Sequence, residues 1–196
     1  ESASSEIIVL SKVNETYHYL YNITLYNLTD KEQTNIFKFI IWQLEANCIA
    51  LDTTDGQGRA IYRSLEEVFP KENLVWVGFN EKIAIDVLRD ETDNVIMKDG
   101  QVVYKEEMVH SWSVKRLKDL LYEKGKVNLP IDYKLDTQLN SVISIQSGNK
   151  TLYECTSKTN GDHLFAAWRV FAIAEWKNYM NIINPIKRKG FSKIGF

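Results

Sequence analysis

Aspartate at the end of an apolar run is the first residue in this sequence equipped for chemistry. Asp52 closes the strand-length run Cys48-Ile-Ala-Leu51 and opens the polar segment Asp52-Thr-Thr-Asp-Gly-Gln-Gly58. Sheets flanked by helices place chemistry at such strand ends, where the backbone fans into loops while the strand holds the side chain still. A second carboxylate, Asp162, stands in Asn160-Gly-Asp-His163 at the start of a long helical pattern, where it can cap the helix and still face the sheet end. Two carboxylates on rigid elements suit Mg2+ or Mn2+, hard cations that take oxygen ligands and keep water. Two such ions about 3.5–4 Å apart activate a water and stabilise the leaving oxygen of a phosphodiester. Each residue also has a plainer reading, Asp52 as a turn former and Asp162 as an N-cap.

The neighbours add less. Asp55 precedes Gly56, a common turn pair, and reads as solvent-facing, at most an outer group of the site. His163 can touch a metal or a phosphate, or simply face water. Gly56-Gln-Gly58 ahead of a helix can hold an anion on backbone amides, but it lacks the lysine of a nucleotide-triphosphate loop, so this chain alone is not expected to hydrolyse ATP. Lys82, Lys98, Lys105, Lys115 and Arg116, with Arg59, are the candidates for a groove that follows a nucleic-acid backbone. Interspersed Glu81, Asp90, Glu91, Asp93, Glu106 and Glu107 leave an ordinary solvated surface as the alternative.

These residues need elements to hold them. The run from Glu6 to Val13 and the alternation from Thr16 to Tyr26 read as neighbouring strands. Thr29-Asp-Lys-Glu32 is a capping box, and Ile36, Ile40, Ile41 and Leu44 recur at helical spacing, which predicts a helix over about 30–46. Strand 48–51, an amphipathic helix over about 59–69 and strand 74–79 complete a strand-helix alternation, the pattern of an α/β fold. Asp99-Gly100 between β-prone runs predicts a hairpin. Helices follow at about 108–124, with Val109, Trp112, Leu117, Leu120 and Leu121 on one face and Lys115, Arg116 and Lys118 on the other, and at about 132–146. A strand at about 150–155 precedes the last helix, whose core positions are Leu164, Trp168, Phe171, Ala172 and Trp176. From Lys187 the chain reads as a basic tail.

With 196 residues, 44% hydrophobic and 12% aromatic, the chain has material for one domain and one core, which excludes general disorder. Lys and Arg number 24 against 26 Asp and Glu, a formal net charge of -2, so a nucleic acid would have to be met by local basic surface. No apolar run approaches the about 18 residues of a membrane span, and no basic-then-apolar leader opens the chain, so a soluble protein without a membrane partner is expected. The Asn-x-Ser/Thr triplets at Asn14, Asn22, Asn27 and Asn149 then carry no secretion signal. Cys48 and Cys155 belong to no CxxC or Cys/His cluster, which points to a reducing compartment. The chain opens at Glu1, directly before a strand, and reads as part of something longer.

Taken in order, Cys48-Ile-Ala-Leu-Asp-Thr-Thr-Asp-Gly-Gln-Gly-Arg-Ala-Ile-Tyr62, Val75-Trp-Val-Gly-Phe-Asn80, the hairpin, Trp112-Ser-Val-Lys-Arg-Leu-Lys-Asp-Leu-Leu121 and Gly161-Asp-His-Leu-Phe-Ala-Ala-Trp168 resemble the C-terminal nuclease domain of the large terminase subunit of tailed bacteriophages, from about residue 6 to 180. The resemblance implies a ribonuclease-H-like α/β fold, with a mixed central sheet, flanking helices and an added β-hairpin. It makes 1–183 the nuclease domain, truncated in its first strand, and 184–196 a tail like the extension that meets the portal or DNA. It further implies three acids holding two Mg2+ or Mn2+ ions: Asp52, Asp162 and one on the first strand, upstream of the run at Glu6, which this sequence does not contain. The expected activity is endonucleolytic cutting of concatemeric double-stranded DNA during genome packaging. Implied partners are DNA, an N-terminal ATPase domain of the same polypeptide, the portal protein and the small terminase subunit. The implied location is the cytoplasm of the infected bacterium, transiently at the procapsid portal. The alternatives are a catalytically silent module of the same fold that binds DNA or the portal, and a cellular Holliday-junction resolvase of similar fold.

Overall fold

The computed structural model describes residues 4–122, 126–148, 150–156 and 162–183, so the basic tail lies outside the described residues. Strands β1 (Ser4–Val13) and β2 (Thr16–Tyr26) form an antiparallel hairpin with a bulge between Val9 and Leu10. Asn14 and Glu15 take φ of 48° and 64°, the paired left-handed turn that matches the twist of a tight hairpin. Helix α1 (Asp30–Leu44) realises the capping box: Thr29 accepts from the Glu32 amide while the Glu32 carboxylate accepts from the Thr29 amide.

The strand-helix alternation continues with β3 (Ile49–Asp52), α2 (Gly56–Glu66) and β4 (Leu74–Val77), and β3 and β4 pair in parallel. Helix α2 starts three residues earlier than its apolar pattern suggests, because Asp55 caps it through the Gly58 amide at 2.9 Å. Next comes an antiparallel arm, β5 (Lys82–Val87), β6 (Met97–Lys98), β7 (Gln101–Val102) and β8 (Tyr104–Met108), with β5 paired to β8 and β6 to β7. The expected turn is there, with Asp99 and Gly100 at φ 51° and 74°.

Helix α3 (Val109–Tyr122), a short β9 (Val127–Asn128), α4 (Tyr133–Asn140), the hairpin β10 (Val142–Ser147) and β11 (Lys150–Cys155), and α5 (His163–Ile183) complete the chain. The helix expected over 132–146 is corrected to α4 alone. The β-branched Val142, Ile143 and Ile145 pair with β11, and Ser141 turns the chain by donating its hydroxyl to the Gln138 carbonyl at 2.9 Å.

The molecule is mixed α/β, and among the described residues the strands fall into five separate sheets, the largest being β1-β2-β9. Helix α5 packs against β1, β3 and β4, so side-chain packing joins the β1-β2 hairpin to the β3-β4 pair. Val170, Ile173 and Ala174 meet β4, β5 and Val109, while Leu164, Phe165, Trp168, Phe171 and Ala172 meet α3 and α4, with β1 and β2 residues against them. A third cluster seals α2 onto β3. Among the described residues no helix is long and apolar enough to cross a membrane.

Candidate functional site

Asp52 is the last residue of β3, exposed, opposite Val77 of β4. The ladder runs one step past it, Thr53 donating its amide to the Val77 carbonyl at 2.9 Å. The Asp52 Oδ1 accepts from the Thr54 amide at 2.8 Å, and the Thr54 hydroxyl oxygen accepts from the Phe79 amide at 3.0 Å. These bonds fix the aspartate to the ends of both strands. Thr53 is wholly buried, its hydroxyl without a partner among the described residues. Helix α2 crowds the strand end so closely that a Cβ on Gly58 would lie 1.8 Å from the Asp52 carbonyl oxygen. Gly56-Gln-Gly58 is therefore the first turn of a helix pressed on Asp52, and Asp55 is that helix's N-cap.

Asp162 sits in the bend before α5, exposed, and its carbonyl accepts the first helical bond from Ala166 at 2.8 Å. The cap of α5 comes from elsewhere: buried Gln138 of α4 accepts from the Phe165 amide at 2.8 Å. His163 is exposed at the first helical position.

Between the two aspartate segments lies Arg169, which is 6% exposed. Its Nε donates to Ser113 Oγ and its Nη2 to the His110 carbonyl, each at 3.0 Å. The rings of Phe79 and Phe165 flank it, with centroids 4.3 and 5.4 Å from Cζ. Burial pulls the guanidinium down to about 10, opposed by the negative charges of Asp162 and Asp52, both of which act on it. Beside it His110, its Nδ1 buried and without a partner among the described residues, is held below the ordinary imidazole range by burial and then by the Arg169 charge.

The candidate DNA contacts divide. Arg59 donates its Nε to the Thr53 carbonyl at 2.9 Å, and its guanidinium lies over the Trp76 ring. Lys115 pairs with Glu107 at 2.7 Å, and Arg116 pairs with Glu175 at 2.7 Å over the Trp176 ring. Arg116 therefore faces α5, contrary to its expected place on the solvent face of α3. Lys82, Lys98 and Lys105 are exposed on the arm, Lys105 opposite Asp86.

Sequence reasoning missed Arg169, Ser113, His110 and Gln138. A charge inside the apolar stretch Leu164-Phe-Ala-Ala-Trp-Arg-Val-Phe171 was the available signal for the first.

Among the described residues no group of three or more His, Cys, Asp or Glu is arranged to hold a metal. Carboxylates such as those of Asp52 and Asp162 suit a hard cation that keeps several waters better than one that wants nitrogen and sulfur. No family model, curated protein or solved structure matches this chain.

Proposed function

We propose that this chain is the nuclease domain of a phage large terminase, a ribonuclease-H-like, metal-dependent endonuclease that cuts concatemeric double-stranded DNA. The observation that carries the reading is the placing of two aspartates at element ends, Asp52 at the end of a parallel strand and Asp162 directly before the last helix. The element order supports it, with a hairpin, two strand-helix steps ending in a parallel pair, an added antiparallel arm and a long final helix.

On this reading Asp52 and Asp162 hold Mg2+ or Mn2+, with His163 at the margin. Such ions supply an acidified water and neutralise charge developing on the leaving 3′ oxygen. The chain's own part is to hold two carboxylates on rigid elements and to guide the DNA backbone along Lys82, Lys98 and Lys105 of the arm. The N-terminal ATPase domain of the same polypeptide, the portal protein and the small terminase subunit are the partners this function requires, in the cytoplasm of an infected bacterium.

A silent module of the same fold, binding DNA or the portal, is favoured by one observation, that among the described residues no group of three or more His, Cys, Asp or Glu is arranged to hold a metal. One experiment separates the two. In the full polypeptide with Mn2+, Asp52→Asn and Asp162→Asn should each lower plasmid cleavage by at least about 10²-fold, the loss typical when a group stabilising transition-state charge is removed. Circular dichroism should show both variants folded. Normal cutting by both removes the enzyme reading, and DNA binding without cutting by the unmodified protein establishes the silent module.

A further inference from the structure

The antiparallel arm leaves and rejoins the body of the molecule at one place. Phe79 and Glu81 precede β5, Val109 and His110 follow β8, and two bonds close the root between them. The Val109 amide donates to the Glu81 carbonyl at 2.9 Å and the His110 amide to the Phe79 carbonyl at 3.2 Å. The His110 carbonyl accepts from Arg169 Nη2 of α5 and from the Ser113 hydroxyl, each at 3.0 Å. One residue on, the Ser111 hydroxyl donates to the Thr151 carbonyl of β11 at 2.8 Å. The backbone at His110 is therefore tied to the arm root and to α5, while its ring lies with Nδ1 buried and without a partner among the described residues. A neutral imidazole tolerates this, because Nδ1 can be the nitrogen that carries no proton. An imidazolium must place an N–H there with nothing to accept it. The charged groups nearby do not relieve the cost. Arg169 brings a cation to the carbonyl of the same residue, Glu81 is bonded to the Trp76 indole, and Glu107 is paired with Lys115. Glu154 of β11 favours the charged ring, but burial and then the Arg169 charge outweigh it and hold the imidazole below its ordinary range.

We propose that His110 is an acid-sensitive latch at the root of the arm. Neutral, its ring stays packed where α3, α5 and the start and end of the arm meet; protonated, it must turn out to water, and the bonds made by the Val109 and His110 amides open with it. Because the closed joint disfavours the charged ring, it is intact above the free imidazole value of about 6.5 and yields as pH falls below it. The device is independent of the nuclease reading.

The test follows amide exchange and the histidine ring protons of the whole chain, without metal or DNA, from about pH 7.5 to about pH 5, the window in which histidine changes charge. With rates corrected for the intrinsic effect of pH, opening at the Val109 and His110 amides should grow by up to about tenfold for each pH unit below about 6.5, while β3 and α2 keep their protection. The His110 ring should titrate below about 6.5. His110→Gln keeps a polar side chain that cannot be charged, and the growth of opening with acid should disappear in it. A ring midpoint at or above the ordinary imidazole value overturns the latch, as does the same pH response in His110→Gln. Equal acid opening in β3 and α2 overturns its placement at the arm root. Should His110→Gln fail to fold, the ring titration of the unmodified chain, assigned through the backbone of residue 110, decides alone.

Discussion

Two glycines open α2, and geometry demands only one of them. A Cβ at Gly58 would meet the Asp52 carbonyl oxygen at 1.8 Å and its carbon at 2.9 Å, backbone atoms that cannot swing aside. Gly58→Ala must therefore push the helix from the strand end, at a cost of about 1–3 kcal/mol for overpacking, read as a lower urea midpoint at unchanged m-value. Gly56 has nothing within 4 Å of its Cβ site, so Gly56→Ala should be neutral or gain up to about 1 kcal/mol through helix propensity. Equal losses at both positions would show that crowding is not the cause. The pair was visible in the sequence as a stretch ahead of a helix, but its close approach to the strand was not, since such an approach leaves no local mark besides glycine itself. Asp52 was legible because an apolar run ending in a carboxylate is a local pattern. Arg169 was not, because the Ser113 that fixes it lies 56 positions away in the chain.

Between elements, the contact of α3 with α5 decides what Arg116 is for. Its guanidinium and the Glu175 carboxylate are 17% and 16% exposed, joined at 2.7 Å and stacked over Trp176. Truncation strands Glu175 in a half-dry seam. Arg116→Ala should accordingly cost about 1.5–3 kcal/mol, the range for hydrogen bonds to charged groups, and, on the proposed nuclease reading, leave the salt dependence of DNA binding unchanged. Lys98→Ala on the exposed arm should do the reverse, keeping stability while lowering the salt slope by about 1. Paired denaturation and binding titrations check both. Helical periodicity located α3 correctly but could not tell which polar residues a second helix would cover, and α5 takes the one that finds a carboxylate. The capping box of α1 and the Asp99-Gly100 turn were legible because their bonds close within a few residues. The end of α4 was not, since Val142-Ile-Ser-Ile145 suits helix or strand until β11 pairs with it.

Across the whole molecule, one helix packs against strands that belong to different sheets. The apolar residues of α5 enter two clusters, Val170, Ile173 and Ala174 with β4 and β5, and Leu164, Phe165, Trp168, Phe171 and Ala172 with α3, α4 and the inner residues of β1 and β2. Its pattern was legible as a core helix, but its insertion between strand groups was not, because the periodicity of α5 records that a face is buried without naming the neighbour. Small sheets joined by a shared helix should unfold together only while that helix stays packed. Trp168 is the test of it, 1% exposed, stacked on Tyr19 with centroids 6.1 Å apart and edge-on to Phe171 at 5.8 Å. Trp168→Ala should cost about 3–5 kcal/mol, the loss of a large buried aromatic. The β1-β2 hairpin, held through Tyr17, Tyr19, Ile8 and Leu10 against that cluster, should loosen first, whereas β3 and α2, sealed by Ile49, Leu51, Ile61 and Leu65, keep a cluster of their own. Amide exchange checks this: protection lost in β1 and β2 before β3 and α2 supports α5 as the joint, and uniform loss across all four would mean that the clusters are coupled by something other than this helix.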